Sequence, residues 1–194
     1  MKLCFLHGLD SSPQGTKASL LRAYDPCCWI PNLPPDINER LKALEHGLRE
    51  PMLIVGSSLG GLTAFMYAIS HPEMVHGLVL LAPAVGIKIE DLFTEEHKRI
   101  MSSVYIPQGI PTKLIVGLRD EVIPLSSIRA MIERSPDPAN IQLLEVDDDH
   151  DLHKSLDMML QAIKRIRERY IQKNQVNPCL PRGAWGYPVK QIPE

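Results

Sequence analysis

The sequence predicts an α/β protein whose mostly parallel sheet of about six strands is covered by helices on both faces. Short apolar runs rich in β-branched residues recur along the chain, and most of the segments between them carry apolar residues at spacings of three and four. Strands that alternate with helices favour parallel pairing, which places functional groups at the carboxyl ends of the strands. The strands are predicted at residues 3–6, 28–31, 52–55, 75–81, 113–116 and 141–146.

The helices are predicted from their apolar stripes and from the residues that begin them. After two consecutive prolines, Asp36 and Glu39 match a capping box, so a helix begins at that point. Its apolar stripe consists of Ile37, Leu41, Leu44 and Leu48. The other helical patterns cover residues 15–24, 59–70, 89–105, 124–134 and 152–170.

Length and composition indicate one domain with a tail. The chain has 194 residues, 44% hydrophobic and 23% charged, which is ordinary for a globular protein. We expect a single domain over residues 1–173 and a proline-rich C-terminal tail over 174–194.

Charge and cysteine content exclude several classes of partner. The formal net charge of −2 gives no footprint for nucleic acid, and no apolar run is long enough for a membrane span. The four cysteines lack metal-ligand spacing, and the adjacent pair Cys27-Cys28 makes a poor disulfide framework. We therefore expect a cytoplasmic protein without a metal site or a nucleic-acid partner.

The stretch from residue 53 to 62 carries the sequence Gly-x-Ser-x-Gly between an apolar strand and a helical pattern. Gly56 and Gly60 flank Ser58, and a side chain at either glycine would collide with the neighbouring strand or helix. This strand–turn–helix setting predicts a nucleophile elbow that exposes the Ser58 hydroxyl. The alternative is a glycine-rich turn in which Ser58 has no chemical role.

Two further chemical groups follow later strands. Asp120 lies in the loop after the fifth predicted strand, and His150 lies in the loop after the sixth. The chain order Ser, Asp, His is the one that the elbow predicts, with His150 as the base for Ser58 and Asp120 as the acid that orients it. Glu121 is the rival for the acid, and His153 is the rival for the base.

Backbone N–H groups complete the predicted site. A tetrahedral intermediate carries a negative oxygen that needs preorganised donors. The Leu59 N–H at the start of the elbow helix is one candidate, and the Leu9 N–H in the loop after the first strand is the other. We interpret His7 as a residue that shapes this loop.

Four motifs together resemble the α/β-hydrolase superfamily: Leu-His-Gly-x-x-Ser-Ser near the N-terminus, Gly-x-Ser-x-Gly-Gly, Gly-x-x-Asp-x-x-x-Pro and Asp-His. Over residues 1–170 the chain is similar to small single-domain bacterial esterases of the YqiA-like group. The resemblance implies the α/β-hydrolase fold, hydrolysis of carboxylic esters or thioesters, and no cofactor. It implies Ser58 as nucleophile, Asp120 as acid and His150 as base. The run Asp147–Asp149 departs from the glycine-rich turn often found before this histidine.

The expected substrate is a small acyl ester or thioester with a short-to-medium acyl group. Residues 83–111 are too few for a large lid, so a minimal lid and an open site are expected. The pocket candidates in that segment are Leu92, Phe93 and Tyr105, whose apolar side chains suit an acyl chain.

Three other interpretations are weaker. A phosphate-binding turn at Gly56–Gly61 lacks both a Gly-Lys-Ser/Thr sequence and an acidic residue at the end of the next strand. A metal site within residues 147–153 would need consecutive side chains to converge on one ion. The third is a non-catalytic α/β-hydrolase-fold protein that binds a ligand or a partner.

Overall fold

A computed structural model describes residues 1–86, 94, 99 and 101–175. Its sheet has five parallel strands that pair in the order in which they occur in the chain. They are β1 (Lys2–Leu6), β2 (Met52–Ser57), β3 (Val75–Leu81), β4 (Thr112–Gly117) and β5 (Ile141–Val146). Parallel strands in sequential order need a crossover between each pair, and the helices on the two faces lie in these crossovers and after β5.

Within the described part of the chain, five complete α-helices cover the sheet. They are α1 (Thr16–Tyr24), α2 (Ile37–Gly47), α3 (Leu59–Ser70), α4 (Leu125–Glu133) and α5 (Leu156–Gln175). Helices α1 and α5 pack on one face, and α2, α3 and α4 pack on the other. The doubly covered parallel sheet predicted from the sequence is confirmed.

Alternate side chains along each strand pack into two separate hydrophobic cores, one on each face of the sheet, because successive side chains of a strand point to opposite faces. Leu53 and Val55 belong to the core with α1 and α5, whereas Ile54 belongs to the core with α2, α3 and α4. Both faces of β2 are therefore buried, which explains why its sequence is continuously apolar rather than alternating.

The prediction of a strand at residues 28–31, the second of the six predicted strands, is wrong. This segment forms a single parallel bridge, in which Trp29 donates to Leu3 O and accepts from the Phe5 N–H, each at 2.9 Å. Pro31 has no N–H to continue the ladder, so the pairing ends at once on the edge of the sheet. No helix among residues 1–86 and 101–175 has the length and apolar character to cross a membrane.

Two predicted segments fall largely outside the described residues. They are the predicted tail at 174–194, of which only the end of α5 is described, and the helical pattern at 89–105 within the predicted minimal lid, of which residues 94, 99 and 101–105 are described.

The fold depends on a close approach between α3 and the end of β1. A Cβ atom on Gly60 would lie 1.9 Å from Leu6 O, and one on Gly56 would lie 2.6 Å from Gly60 O. Since real Cβ atoms do not approach backbone this closely, only glycine lets α3 start directly above the sheet.

We expect Gly60→Ala to lower the free energy of unfolding by more than about 3 kcal/mol, because backbone would have to move to admit the methyl group. Gly109→Ala is the control: Gly109 has a φ of +80° with nothing within 4 Å of its Cβ position, so only strain of about 1 kcal/mol is added. Chemical denaturation measures both variants. Equal losses of stability would contradict the close-packing argument.

Candidate active site

Ser58 occupies the turn between β2 and α3, with no loop between strand and helix. Its φ of 52° and ψ of −118° are strained for a residue with a side chain. The turn is held by neighbouring backbone, since the Ser58 N–H donates to Leu81 O at 2.9 Å and Ser58 O accepts from the Ala84 N–H at 3.0 Å. The strain therefore persists because the surrounding structure fixes the turn.

The three predicted polar residues meet above the carboxyl ends of the strands. His150 Nε2 lies 3.1 Å from Ser58 Oγ, and His150 Nδ1 lies 2.9 Å from Asp120 Oδ2. The His150 side chain is 23% exposed, whereas that of Asp120 is only 3% exposed. The imidazole thus has access to a ligand while the carboxylate behind it is shielded from water.

Asp120 is held in its ionised form by its hydrogen bonds. Burial by itself raises the pKa of this carboxyl, but hydrogen bonds from His150 and from the Ile123 and Val122 N–H groups outweigh it and leave the pKa below its ordinary value. An ionised carboxylate only accepts hydrogen bonds. His150 Nδ1 therefore carries the proton, and Nε2 is free to accept the Ser58 hydroxyl.

The two predicted backbone donors lie beside Ser58. Leu59 is the first residue of α3, so its N–H has no acceptor within the helix. Leu9 lies in the loop after β1, and both residues line the same cavity as Ser58 and His150. This arrangement fits an oxyanion hole.

The cavity at Ser58 has a volume of about 500 Å³. Tyr105 is 37% exposed and is not among the residues that line it, and Leu92 and Phe93 lie outside the described residues. The apolar part of the wall comes from other residues, namely Phe5, Leu9, Leu59, Ala84 and Val122.

Much of the remaining wall is polar. The loop after β1 and the start of α1 contribute Asp10, Ser11, Ser12, Thr16 and Lys17, and the loop after β5 contributes Asp151 and His153. Burial lowers the pKa of Lys17, and the charges of the nearby aspartates only partly offset that effect. No three His, Cys, Asp or Glu side chains in the described part of the chain are grouped so that they could hold a metal ion.

Comparisons with known proteins assign the family. The sequence model of the family described as serine aminopeptidase S33, whose members are α/β hydrolases, matches residues 35–169. The chain belongs to this family. The match includes Ser58, Asp120 and His150 and covers more than half of the chain.

Solved structures show the same fold at low identity. The chain is similar to α/β hydrolase domain-containing protein 10 from mouse, at 19% identity and a TM-score of 0.69, over 89% of this chain and 90% of that one. It is also similar to MGS-MChE2, an α/β hydrolase from a lagoon-sediment metagenome, at 17% identity and a TM-score of 0.63, over 90% and 92%. A third is the monoacylglycerol lipase of Paleococcus ferrophilus, at 15% identity and a TM-score of 0.61, over 82% and 94%.

In this hydrolase the acidic run before His150 has a structural role that sequence reasoning missed. Asp148 is buried and accepts three hydrogen bonds of 2.9 Å, from the Asp149 and Lys154 N–H groups and from the Ser155 hydroxyl. These bonds fold the His150 loop back onto itself before α5. Asp147, by contrast, is exposed. Alternation of burial within a charge run leaves little trace in one sequence.

A buried cation beneath the loop after β1 was also missed. Arg40 is fully buried on α2 and donates to the carbonyl oxygens of His7, Gly8 and Pro34. Ile37, Arg40 and Leu44 share the inward face of α2, whereas Leu41, predicted for that stripe, is only partly buried. A charged residue at a core position of a helical stripe is the signal that points to it.

We expect Asp148→Asn to lower the free energy of unfolding by about 2 kcal/mol at neutral pH, because an amide cannot accept all three hydrogen bonds. Burial by itself raises the pKa of Asp148, but those bonds outweigh it and leave the pKa below its ordinary value of about 4. The stabilisation is therefore complete above about pH 4 and is lost as the pH falls through the lower folded-state pKa.

Thermal unfolding from pH 7 down to pH 2 measures this difference between the two proteins. Asp147→Asn is the matched control, since Asp147 is exposed and its carboxylate pairs with the exposed Arg119. A gap between wild type and Asp148→Asn that persists unchanged in acid would contradict the assignment.

Proposed function

We propose that this protein is a serine hydrolase that cleaves carboxylic esters or thioesters through an acyl-enzyme at Ser58. The observation that carries the proposal is the chain of hydrogen bonds from Ser58 through His150 to Asp120, beside a cavity with two backbone donors. A serine hydroxyl needs a base within hydrogen-bond reach, and this geometry supplies one.

In the first half of the reaction, His150 Nε2 takes the proton of Ser58 as Oγ attacks the carbonyl carbon. The Leu9 and Leu59 N–H groups stabilise the negative oxygen of the tetrahedral intermediate. Asp120 stabilises the imidazolium and holds its orientation. The carbon–oxygen or carbon–sulfur bond then breaks, and the alcohol or thiol leaves with the proton from His150.

In the second half, a water molecule attacks the acyl-Ser58 ester. His150 takes a proton from the water and returns it to Ser58 Oγ, which releases the carboxylic acid. Both halves balance without a cofactor.

Cavity size supports short-to-medium acyl groups. A volume of about 500 Å³ lies in the range of small-molecule sites, and its partly polar wall is not suited to a long alkyl chain. The structural likeness to a monoacylglycerol lipase supports an ester as the scissile group. The free thiols of Cys4, Cys27 and Cys28 support the proposed cytoplasmic location.

We expect Ser58→Ala to abolish the burst of p-nitrophenol from an activated acyl ester and the labelling of the protein by a fluorophosphonate. His150→Ala and Asp120→Asn should each lower kcat at least 10³-fold, because they remove the base or its correct tautomer. His153→Ala is the comparison variant and should change kcat less than about tenfold. A wild-type protein that neither hydrolyses esters nor labels at Ser58 would favour the non-catalytic ligand-binding alternative.

Chain-length preference tests the proposed substrate class. Across p-nitrophenyl esters and the corresponding acyl thioesters, we expect kcat/KM to be highest between about two and eight acyl carbons, since longer chains outgrow the cavity. A clear preference for acyl groups of 14 or more carbons would contradict this picture.

A second candidate is the release of N-terminal amino acids from peptides. The description of the matching family favours it, and the carboxylates of Asp10 and Asp151 on the cavity wall are groups that can bind a free α-amine. Aminoacyl p-nitroanilides, measured beside the esters, separate the two activities.

A further inference from the structure

Arg40 is a fully buried cation without a carboxylate partner among the described residues. Its Nε donates to Pro34 O at 2.6 Å, one terminal nitrogen donates to His7 O at 2.9 Å, and the other donates to Gly8 O at 3.3 Å. Burial lowers the pKa of its guanidinium to about 10, which still leaves it charged at neutral pH. An apolar side chain would fill this position without the cost of desolvating a charge.

The His7 side chain makes a second contact with the same carbonyl of Gly8. The Leu33 N–H donates to His7 Nε2 at 3.1 Å, so Nε2 has no proton and Nδ1 carries it. That Nδ1 proton is donated to Gly8 O at 2.8 Å. Burial lowers the pKa of His7, and the Arg40 charge adds to this effect against the opposing hydrogen bond to Gly8. The Gly8 carbonyl oxygen therefore accepts two hydrogen bonds, one from His7 and one from Arg40.

A trans peptide group points its N–H opposite to its carbonyl oxygen. None of the described peptide bonds is cis, so fixing Gly8 O toward Arg40 and His7 directs the Leu9 N–H away from them. Gly8 and Leu9 both line the cavity, and a Cβ on Gly8 would lie only 3.4 Å from Ser58 Cβ. The N–H thus turns toward the space in front of Ser58.

We propose that Arg40 is a positioning residue that fixes the Gly8–Leu9 peptide group so that the Leu9 N–H faces the oxygen that becomes negative when Ser58 attacks an acyl group. This inference rests on the function proposed above. The guanidinium also polarises the peptide group through its carbonyl, which strengthens the hydrogen bond that the N–H donates on the other side. Its positive charge lies behind the donor, where it favours negative charge on the substrate oxygen.

The test uses the full chain with Arg40→Met and Arg40→Lys. Methionine removes the cation and all three hydrogen bonds, so kcat for p-nitrophenyl butyrate should fall about 10²-fold, the loss typical of one oxyanion donor, while KM changes less than about threefold. Lysine keeps the charge but cannot bind three carbonyls in one plane, so its loss should be intermediate.

A second measurement separates positioning from a general effect on packing. An alkyl trifluoromethyl ketone adds to Ser58 Oγ as a hemiketal whose oxygen is negative, with the serine proton on His150. Its inhibition constant should rise by the same factor as kcat/KM falls in both variants. Arg134→Met is the control, because Arg134 donates to Val104 O at 2.8 Å on another part of the surface. It should leave kcat and the inhibition constant within twofold of wild type.

The possible outcomes are distinct. Folded Arg40→Met with wild-type kcat and inhibitor affinity would overturn the proposal, as would a fall in kcat without a matching loss of inhibitor affinity. Should Arg40→Met fail to fold, Arg40→Lys decides, and wild-type values for both quantities in that variant would overturn it. Wild-type protein that is inactive toward esters and unlabelled at Ser58 would instead refute the proposed function itself.

Discussion

The direct passage from β2 into α3 is the constraint on which the site depends. The register of the parallel pair sets Leu6 beside Gly56, so the loop that follows β1 lies next to Ser58. The start of α3 packs onto the end of β1 with Gly60 against the Leu6 carbonyl. This one close backbone approach therefore determines the strained backbone conformation of Ser58. It also determines how far Ser58 lies from the loop that carries the Leu9 N–H.

A second close approach sets the contact between Asp120 and His150. Strand β4 pairs with β5 up to Gly117 and Val146, and the two loops then continue side by side. The Arg119 N–H donates to Asp148 O at 3.0 Å, and a Cβ on Gly117 would lie 2.5 Å from that same oxygen. Because Gly117 has no side chain, the loop that carries Asp120 packs directly against the loop that carries His150. This contact brings the Asp120 carboxylate and the His150 imidazole within hydrogen-bond distance.

The sequence predicts the groups that lie at strand ends better than the groups that support them. Ser58, Asp120 and His150 stand out because each follows an apolar run and the fold brings such positions together. Arg40 and Asp148 are harder to recognise as supporting residues, because charged residues are normally solvated and only tertiary packing buries these two. The residues around Trp29 resemble a strand in sequence because apolar β-forming residues occur equally in an edge segment that a proline ends after one bridge.

The two buried charged residues, Arg40 and Asp148, hold two different loops. The guanidinium has only donors, and it binds the carbonyl oxygens of the loop after β1; the Asp148 carboxylate has only acceptors, and it binds the N–H and hydroxyl groups of the loop after β5. Each loop is thereby held by a buried charge, while Leu9 and His150 of the same two loops line the cavity at Ser58. Loops on a protein surface are ordinarily mobile, and a buried charge beneath each one supplies the rigidity that a hydrogen-bonded relay across three separate segments requires.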